Sequence, residues 1–133
     1  MILDSSVLVH VMLREPGWEA TLAWLGKQPH LRLSTASLVE IHAVITNRSR
    51  EPFAYNLDEL LEQFNVELVS FDAGQAQFAR NAYSRFGRGS GHRARLNFGD
   101  VIVYALSKSA GEPLAFVGDD FNHTDLETVR LPL

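Results

Sequence analysis

Four acidic positions carry the residue types most able to do chemistry in this chain, although they lie far apart in the sequence. Three of them directly follow a probable strand or open a probable helix, and the fourth lies one turn into a helix. Because the carboxyl ends of parallel strands meet at one edge of an α/β sheet, side chains at these positions could gather there. The positions are Asp4, Glu40, Asp100 and the adjacent pair Asp119 and Asp120.

A cluster of these carboxylates would favour the binding of a cation. Negative charges brought together repel one another unless protons or a cation lie between them. Hard divalent cations such as Mg²⁺ and Mn²⁺ are bound by oxygen ligands of this kind, and they polarise phosphate groups and activate water. The pattern therefore predicts a Mg²⁺ or Mn²⁺ site that hydrolyses phosphodiesters.

Each acidic position also has a purely structural explanation. Asp4 could cap a following helix, since aspartate is a favoured N-cap. Glu40 could complete a capping box with Ser37, and Asp100 could pair in the same way with Asn97. The joint occurrence of these acidic positions favours a functional role, because acidic residues that served only as surface charges would rarely fall at equivalent ends of several strand–helix units.

Strand and helix patterns alternate along the chain, which predicts an α/β fold with a mainly parallel sheet. Right-handed crossovers would place helices on both faces of that sheet, and the first strand is expected to be central. The predicted strands are 1–3, 31–34, 66–71, 113–117 and a weak fifth near Val129, and the predicted helices begin near residues 5, 18, 35, 56, 73 and 98.

Composition bounds the class of protein. The 133 residues fit one domain, which we expect to span residues 1–133, and the hydrophobic content of 46 % is ordinary for a packed core. The absence of cysteine excludes disulfides and cysteine-based zinc sites. Since neither a signal peptide nor an apolar run of about 20 residues is visible, we expect a cytoplasmic protein with no membrane segment.

Positive charge is concentrated in one segment. The formal net charge is −4 at pH 7, yet residues 85–95 contain four arginines and no acid, so the rest of the chain carries −8. Glycines in this segment would allow close approach of the backbone to a ligand. We expect an exposed loop in which Arg88, Arg93 and Arg95 bind phosphate groups beside the acidic pocket. The alternative is a solvated loop with no partner.

Four motifs together resemble those of PIN-domain ribonucleases. Ile2–Ser6 is similar to the opening of these proteins, and Ser34–Glu40 fits their glutamate motif. Leu96–Asp100, followed by Tyr104-Ala105-Leu106, looks like their third acidic motif. Phe116–Phe121, followed by Thr124-Asp125-Leu126, resembles the closing motif of the VapC toxins of toxin–antitoxin pairs.

The resemblance implies both a fold and an activity. It implies a three-layer α/β/α sandwich around a parallel sheet. It further implies a Mg²⁺- or Mn²⁺-dependent endoribonuclease that inhibits translation by cleaving tRNA or rRNA. Its partners would be this RNA, a cognate VapB-type antitoxin, and a second copy in a homodimer and a toxin–antitoxin hetero-oligomer.

Roles for individual residues also follow from the resemblance. Asp4, Glu40 and Asp100 are implied to be metal-site and catalytic carboxylates, with Asp4 and Asp100 holding the ion and Glu40 orienting or deprotonating water. Either Asp119 or Asp120 would be the fourth acidic residue, and one or two ions could act. The arginines of the basic segment would then bind RNA phosphates.

Two other classes remain as alternatives. A haloacid-dehalogenase-like phosphatase also uses an aspartate after its first strand, but it requires a second aspartate two residues later, where this chain has Ser6. A catalytically degenerate PIN-like module would bind RNA or protein without cutting. Metal-dependent cleavage separates the second alternative from an active nuclease.

Overall fold

The computed structural model describes residues 1–48 and 56–133. Within these residues the chain alternates between helices and short strands, as the sequence predicts. None of the described helices is long and apolar enough to cross a membrane. The elements are β1 (Ile2–Leu3), α1 (Ser5–Met12), α2 (Trp18–Leu25), β2 (Arg32–Ser34), α3 (Thr35–Arg48), α4 (Leu57–Gln63), β3 (Glu67–Val69), α5 (Ala73–Phe86), α6 (Phe98–Ala110), β4 (Leu114–Val117) and β5 (Thr128–Leu131).

The five strands form one sheet in the order β3-β2-β1-β4-β5, and every pairing in it is parallel. The prediction that the first strand is central is confirmed, since Ile2 pairs with Arg32 on one side and with Leu114 on the other. The weak fifth strand near Val129 is also real and extends over four residues beside β4. The strand order reverses direction between β1 and β4, which makes the gap between them the topological switch point.

The core lies on both faces of the sheet. Neighbouring residues of a strand point to opposite faces. Accordingly, Leu3 and Ala115 belong to the apolar cluster formed with α1 to α4, whereas Ile2 and Phe116 belong to the cluster formed with α5 and α6. The result is the three-layer α/β/α sandwich that the sequence predicted.

Candidate acidic site

A cavity of about 430 Å³ opens at the carboxyl edge of the sheet, at the switch point between β1 and β4. It receives side chains from the ends of β1 and β4, from α1, from the second and later turns of α3 and from the first turn of α6. Four of the five acidic residues named from the sequence line it, together with small polar residues. The polar lining comprises Asp4, Ser5, Ser6, Glu15, Glu40, Arg48, Asn97, Asp100 and Asp120.

Asp4 is both a helix cap and a lining residue of the cavity. It follows β1 and is the N-cap of α1, where its carboxylate accepts a hydrogen bond from the backbone N–H of Ser6 at 3.0 Å. It is only 7 % exposed. The Ser6 hydroxyl in turn accepts a hydrogen bond from Val117 N–H at 3.0 Å, which ties α1 to the end of β4. The structural and functional readings of Asp4 therefore do not exclude each other.

Asp100 shows the same combination on α6. The capping box with Asn97 is confirmed: the Asp100 carboxylate accepts from Asn97 N–H at 2.9 Å, and the Asn97 side chain accepts from Asp100 N–H at 2.8 Å. Asp100 is 7 % exposed. Because these bonds use part of the acceptor capacity of its carboxylate, they fix its orientation while another oxygen lone pair stays available.

Glu40 occupies a different place from the one that its capping motif predicts. The capping box with Ser37 is wrong, because α3 begins at Thr35, where β2 runs directly into the helix and the Ser34 hydroxyl accepts from Ala36 N–H. Glu40 therefore lies in the second turn of α3. Its carboxylate accepts a hydrogen bond from the Ser5 hydroxyl across the cavity.

Gly99 leaves the space that the Glu40 carboxylate occupies. A methyl group at Gly99 would collide with Oε2 of Glu40. The backbone conformation of Gly99 does not demand glycine, so the close approach of Glu40 is the reason for the missing side chain. Sequence reasoning missed Ser5 and Gly99 as supports of Glu40. The glycine directly before Asp100 was the signal available.

The electrostatics of the cavity favour protons or a cation. Burial raises the pKa of Asp4 to about 6, and the negative charges of Glu40 and Asp120 add to this, although the Ser6 hydrogen bond opposes it. Burial likewise raises the pKa of Asp100 to about 7, with contributions from the charges of Asp120 and Asp4. The ionised site is thus destabilised by its own charge and would be relieved by a divalent cation.

Of the adjacent pair Asp119 and Asp120, only Asp120 lies in the cavity lining. The Asp120 side chain lines the cavity, and its charge contributes to the raised pKa of both Asp4 and Asp100. Asp119, which the sequence analysis also placed among the ligands, is 76 % exposed and lies outside the cavity lining. Its carboxylate pairs with Arg130 of β5 at 2.7 Å and accepts from the Asn122 side chain at 3.0 Å.

The donor set suits a hard divalent cation even though it is not gathered into a coordination shell. Among the described residues, no three acidic or histidine side chains stand close enough together to hold an ion as they are. The oxygen-only donors, the burial of Asp4 and Asp100 and their raised pKa values all fit Mg²⁺ or Mn²⁺.

The cavity rim carries one basic residue among those that line it. Arg48, at the end of α3, lies 3.8 Å from Glu15 and is largely exposed. Its pairing with Glu15 is loose and would be weak in water. Sequence analysis did not single out Arg48, because an arginine near the end of a helix is common and carries no motif.

The basic loop between α5 and α6 is tied down rather than free. Leu96 N–H donates to the carbonyl of Phe86 at 2.8 Å, and Arg88 N–H donates to the carbonyl of Leu96 at 3.0 Å. The His92 ring packs edge-on against Phe86 at 4.8 Å between centroids. The loop is thus anchored at both ends and closes directly before Asn97 of the acidic cavity.

The three arginines of this loop are exposed, as expected. Arg88, Arg93 and Arg95 make no ion pair with any residue in the two described ranges, 1–48 and 56–133. Their guanidinium groups are therefore available to an external anion. Their role in phosphate binding stays a prediction.

A second acidic region of the closing motif is structural. Asp125 accepts a hydrogen bond from the Tyr104 hydroxyl at 2.7 Å and pairs with Lys108 at 2.8 Å and with Arg85 at 3.5 Å. Tyr104 is buried against Phe86 and does not line the acidic cavity. This part of the motif holds α6 against the segment before β5.

Together, a parallel α/β/α sandwich and an acidic cavity at its switch point define the class of α/β proteins that carry their site at the carboxyl edge of the sheet. Residues 1–127 match the family model of the PIN domain. The chain belongs to the PIN-domain family.

Relatives of known name cover nearly the whole chain. Ribonuclease VapC30 of Mycobacterium tuberculosis is 46 % identical over 133 residues, which is 99 % of this chain and all of that protein. Ribonuclease VapC42 of the same species is 42 % identical over 95 % of this chain and 96 % of its own. Ribonuclease VapC of Mycolicibacterium smegmatis is 43 % identical over 98 % of this chain and all of its own.

Solved structures support the fold. VapC20 of M. tuberculosis, described as a sarcin–ricin loop cleaving toxin, superposes with a TM-score of 0.68 over 98 % of each chain at 15 % identity. VapBC2 of Rickettsia felis, bound to a promoter DNA fragment, gives a TM-score of 0.67 over 98 % of each chain at 11 % identity. At these identities the likeness concerns the fold alone.

Proposed function

We propose that the protein is a metal-dependent endoribonuclease, the toxin component of a toxin–antitoxin pair, which inhibits translation by cleaving tRNA or rRNA. The observation that carries this proposal is the convergence of Asp4, Glu40, Asp100 and Asp120 on one cavity at the switch point. Support comes from the PIN-domain match and from full-length relatives that are named ribonucleases. A haloacid-dehalogenase-like phosphatase is not favoured by these matches.

The carboxylates divide into ligands and a base. Asp4 and Asp100 would hold Mg²⁺ or Mn²⁺, because they are the most buried and the hydrogen bonds at their helix ends already fix their orientation. Asp120 would complete the ligand set. When bound, the cation neutralises these charges and polarises the scissile phosphate.

Glu40 would accept a proton from the attacking water. Its carboxylate lies at the cavity wall, held by the Ser5 hydroxyl and by the open space at Gly99. A base is effective only within hydrogen-bond reach of the proton that it removes, so these two contacts would set its efficiency. The water oxygen forms the new bond to phosphorus, and the RNA sugar oxygen leaves with the electron pair of the broken bond.

The proposed partners are RNA, an antitoxin and a second copy of the chain. Arg88, Arg93 and Arg95 would bind RNA phosphates beside the cavity. A VapB-type antitoxin is supported by the toxin–antitoxin complexes among the structural neighbours. A homodimer would assemble with the antitoxin into a hetero-oligomer.

The test is cleavage of total cellular RNA by the purified, antitoxin-free protein. Reactions would contain Mg²⁺, Mn²⁺ or EDTA, and a parallel preparation would carry Asp100→Asn. We expect discrete fragments that require the metal and that fall at least about a hundredfold in the variant, since even outer-shell changes at metal sites cost up to that much. Sequencing the cut ends would identify the RNA.

A matched variant at the opposite edge of the sheet controls for general effects of losing a carboxylate. Glu112→Gln removes a charge that pairs with the N-terminus and Arg32, far from the cavity lining, and its cleavage should equal that of the parent. RNA binding without any cleavage would mean a degenerate binding module. Equal cleavage by parent and Asp100→Asn would refute the assigned site.

A further inference from the structure

One large aromatic side chain stands in solvent beside the acidic cavity. Phe98, the first residue of α6, is 77 % exposed, the highest value among the described exposed aromatic residues. It precedes Gly99, which contacts the Glu40 carboxylate, and lies two residues before Asp100. Val39 of α3 is also exposed and lines a groove together with Phe98, and contiguous apolar surface of this kind marks interaction sites.

Phe98 forms the ridge between two shallow apolar grooves of about 500 Å³ each. One groove runs between α3 and α6, is walled by Val39 and Ile102, and reaches Glu40 at the edge of the acidic cavity. The other runs between α5 and α6 and is walled by Tyr83. Phe98 therefore lies beside the wall that this groove and the acidic cavity share at Glu40.

Positive charge lies along the same path. Arg80 lines the groove between α5 and α6, where its guanidinium reaches only the Gln77 side chain, at 3.3 Å, among the described contacts. The basic loop ends at Leu96, two residues before Phe98. A row of aromatic surface flanked by exposed arginines is the combination by which proteins bind single-stranded nucleic acid, with bases stacked on rings and phosphates on cations.

We infer that Phe98 is a base-stacking residue that positions single-stranded RNA, so that the nucleotide next to the scissile phosphate lies on its ring while the phosphate enters the acidic cavity. The inference rests on the proposed function and adds a specificity element to it. Stacking tolerates every base because each has a π face. Phe98 would therefore select unpaired RNA over duplex rather than a particular sequence.

Binding of a labelled RNA tests the inference. The probe is a single strand of about 12 nucleotides, comparable with the site sizes of single-strand binders, with fluorescein at one end or 2-aminopurine at its centre. All proteins carry Asp100→Asn so that the RNA stays intact, and Mg²⁺ is present. Anisotropy reports affinity, and quenching of 2-aminopurine reports stacking.

Three substitutions separate stacking from other effects. Phe98→Ala should weaken binding about tenfold and abolish the quenching, in line with the loss of one stacked base. Phe98→Trp should keep both. The matched control is Phe78→Ala on α5, because Phe78 is also exposed, at 43 %, but lines neither groove. Thermal unfolding would verify that all variants fold.

Two results would overturn the inference while leaving the proposed function intact. One is unchanged affinity and quenching in Phe98→Ala, with metal-dependent cleavage by the parent that retains Asp100. The other is a combination of two observations: sedimentation shows a dimer that dissociates in Phe98→Ala, and the parent does not quench 2-aminopurine. That result would assign this face to a second copy of the chain. If the parent neither binds nor cleaves RNA, the inference and the proposed function fall together.

Discussion

Acidic side chains lie at both edges of the sheet, but within the described residues Glu67 and Glu112 at the amino edge have cationic partners, whereas Asp4 and Asp100 at the carboxyl edge have none. At the amino edge, Arg32 pairs with Glu67 at 3.1 Å and with Glu112 at 3.0 Å, and the ammonium group of Met1 pairs with Glu112 at 2.9 Å. The hydrogen bond from Arg32 lowers the pKa of Glu67. Burial would raise that of Glu112, but its two cationic partners lower it overall.

At the carboxyl edge the same residue types have the opposite environment. Asp4 and Asp100 are buried beside further carboxylates, and the pKa of each is raised. The basic residue in the cavity lining, Arg48, leans towards Glu15 at the rim. No cation of the described chain compensates the buried pair.

The difference separates carboxylates that are paired within the fold from carboxylates that we propose bind a cation. Charges paired within the chain are satisfied on folding, whereas buried like charges cost stability unless something external neutralises them. Asp125 supports the distinction, because it belongs to a family motif and yet is fully engaged by Lys108 and Tyr104. Membership of a motif alone therefore does not identify a functional carboxylate. The lack of a cationic partner within the described chain is the better criterion.

The largest expected effect comes from Gly99→Ala, which perturbs the carboxyl edge without removing any charge. The new methyl group would overlap Oε2 of Glu40, so the carboxylate that accepts from the Ser5 hydroxyl must move. Misplacing a catalytic group by about 1 Å can cost about a hundredfold in rate, and we expect a loss of that size in RNA cleavage. The unfolding free energy should change by less than about 1 kcal/mol, since alanine is the better helix former.

Gly74→Ala is the matched control for this substitution. Gly74 is the second residue of α5, as Gly99 is of α6, and an added methyl group there meets only ordinary contacts. Its cleavage rate should equal that of the parent. If both variants cleave normally, Glu40 is not held where the structure places it or does not take part in the reaction.

Much of this site could be predicted from the sequence because the fold brings strand ends together by rule. Alternating strand and helix patterns fixed the three-layer arrangement, and Asp4, Glu40 and Asp100 fall at its carboxyl edge. The choice between Asp119 and Asp120 could not be made. The choice depends on the direction of the chain after Gly118 and on the ion pair between Asp119 and Arg130. Arg130 lies on β5, which the sequence pattern indicated only weakly.

Sequence patterns also misled where two local explanations compete. The spacing of Ser37 and Glu40 satisfies a capping box, but β2 passes into α3 without a loop and the cap moves to Ser34. Conversely, Gly99 and Phe98 carry no individual signal, because a small or an apolar residue is unremarkable until its neighbours in space are known. Contacts between residues far apart in sequence, such as Ser5 and Glu40, decide these roles.

The stability of the metal-free protein should depend on pH in the direction set by the carboxyl edge. The pKa values of Asp4 and Asp100 rise from 3.8 in the unfolded chain to about 6 and about 7 in the folded protein. The folded state therefore binds more protons between about pH 4 and 7. In EDTA the unfolding free energy should fall across this window, by at most about 1.4 kcal/mol per pH unit for each proton.

The amino edge would give the opposite dependence of the unfolding free energy on pH. The pKa values of Glu67 and Glu112 are lowered in the fold, so these residues stabilise it at pH values above their ordinary pKa, and this stabilisation is lost in acid. Because their ordinary pKa is 4.5, that loss occurs mainly below about pH 5, so urea unfolding in EDTA between pH 5 and 7.5 reports the carboxyl edge. Asp100→Asn should flatten the decline, and Mg²⁺ should restore stability at pH 7.5 more than at pH 5. A metal-free protein that gains stability from pH 5 to 7.5 would contradict the comparison of the two edges.

The smallest expected effect concerns the basic loop. If this loop contacts the same RNA as the acidic cavity, it provides the positive charge that the carboxyl edge lacks. Replacing both Arg93 and Arg95 with glutamine should weaken RNA binding and reduce the slope of log affinity against log salt by about 0.7 for each lost phosphate contact. Lys27→Gln, an exposed change after α2, should leave the slope unchanged. The slope measures the number of ions released on binding rather than total charge. Equal reductions in the double arginine variant and in Lys27→Gln would mean diffuse electrostatic attraction. No reduction in either variant would mean that the loop takes no part in RNA binding.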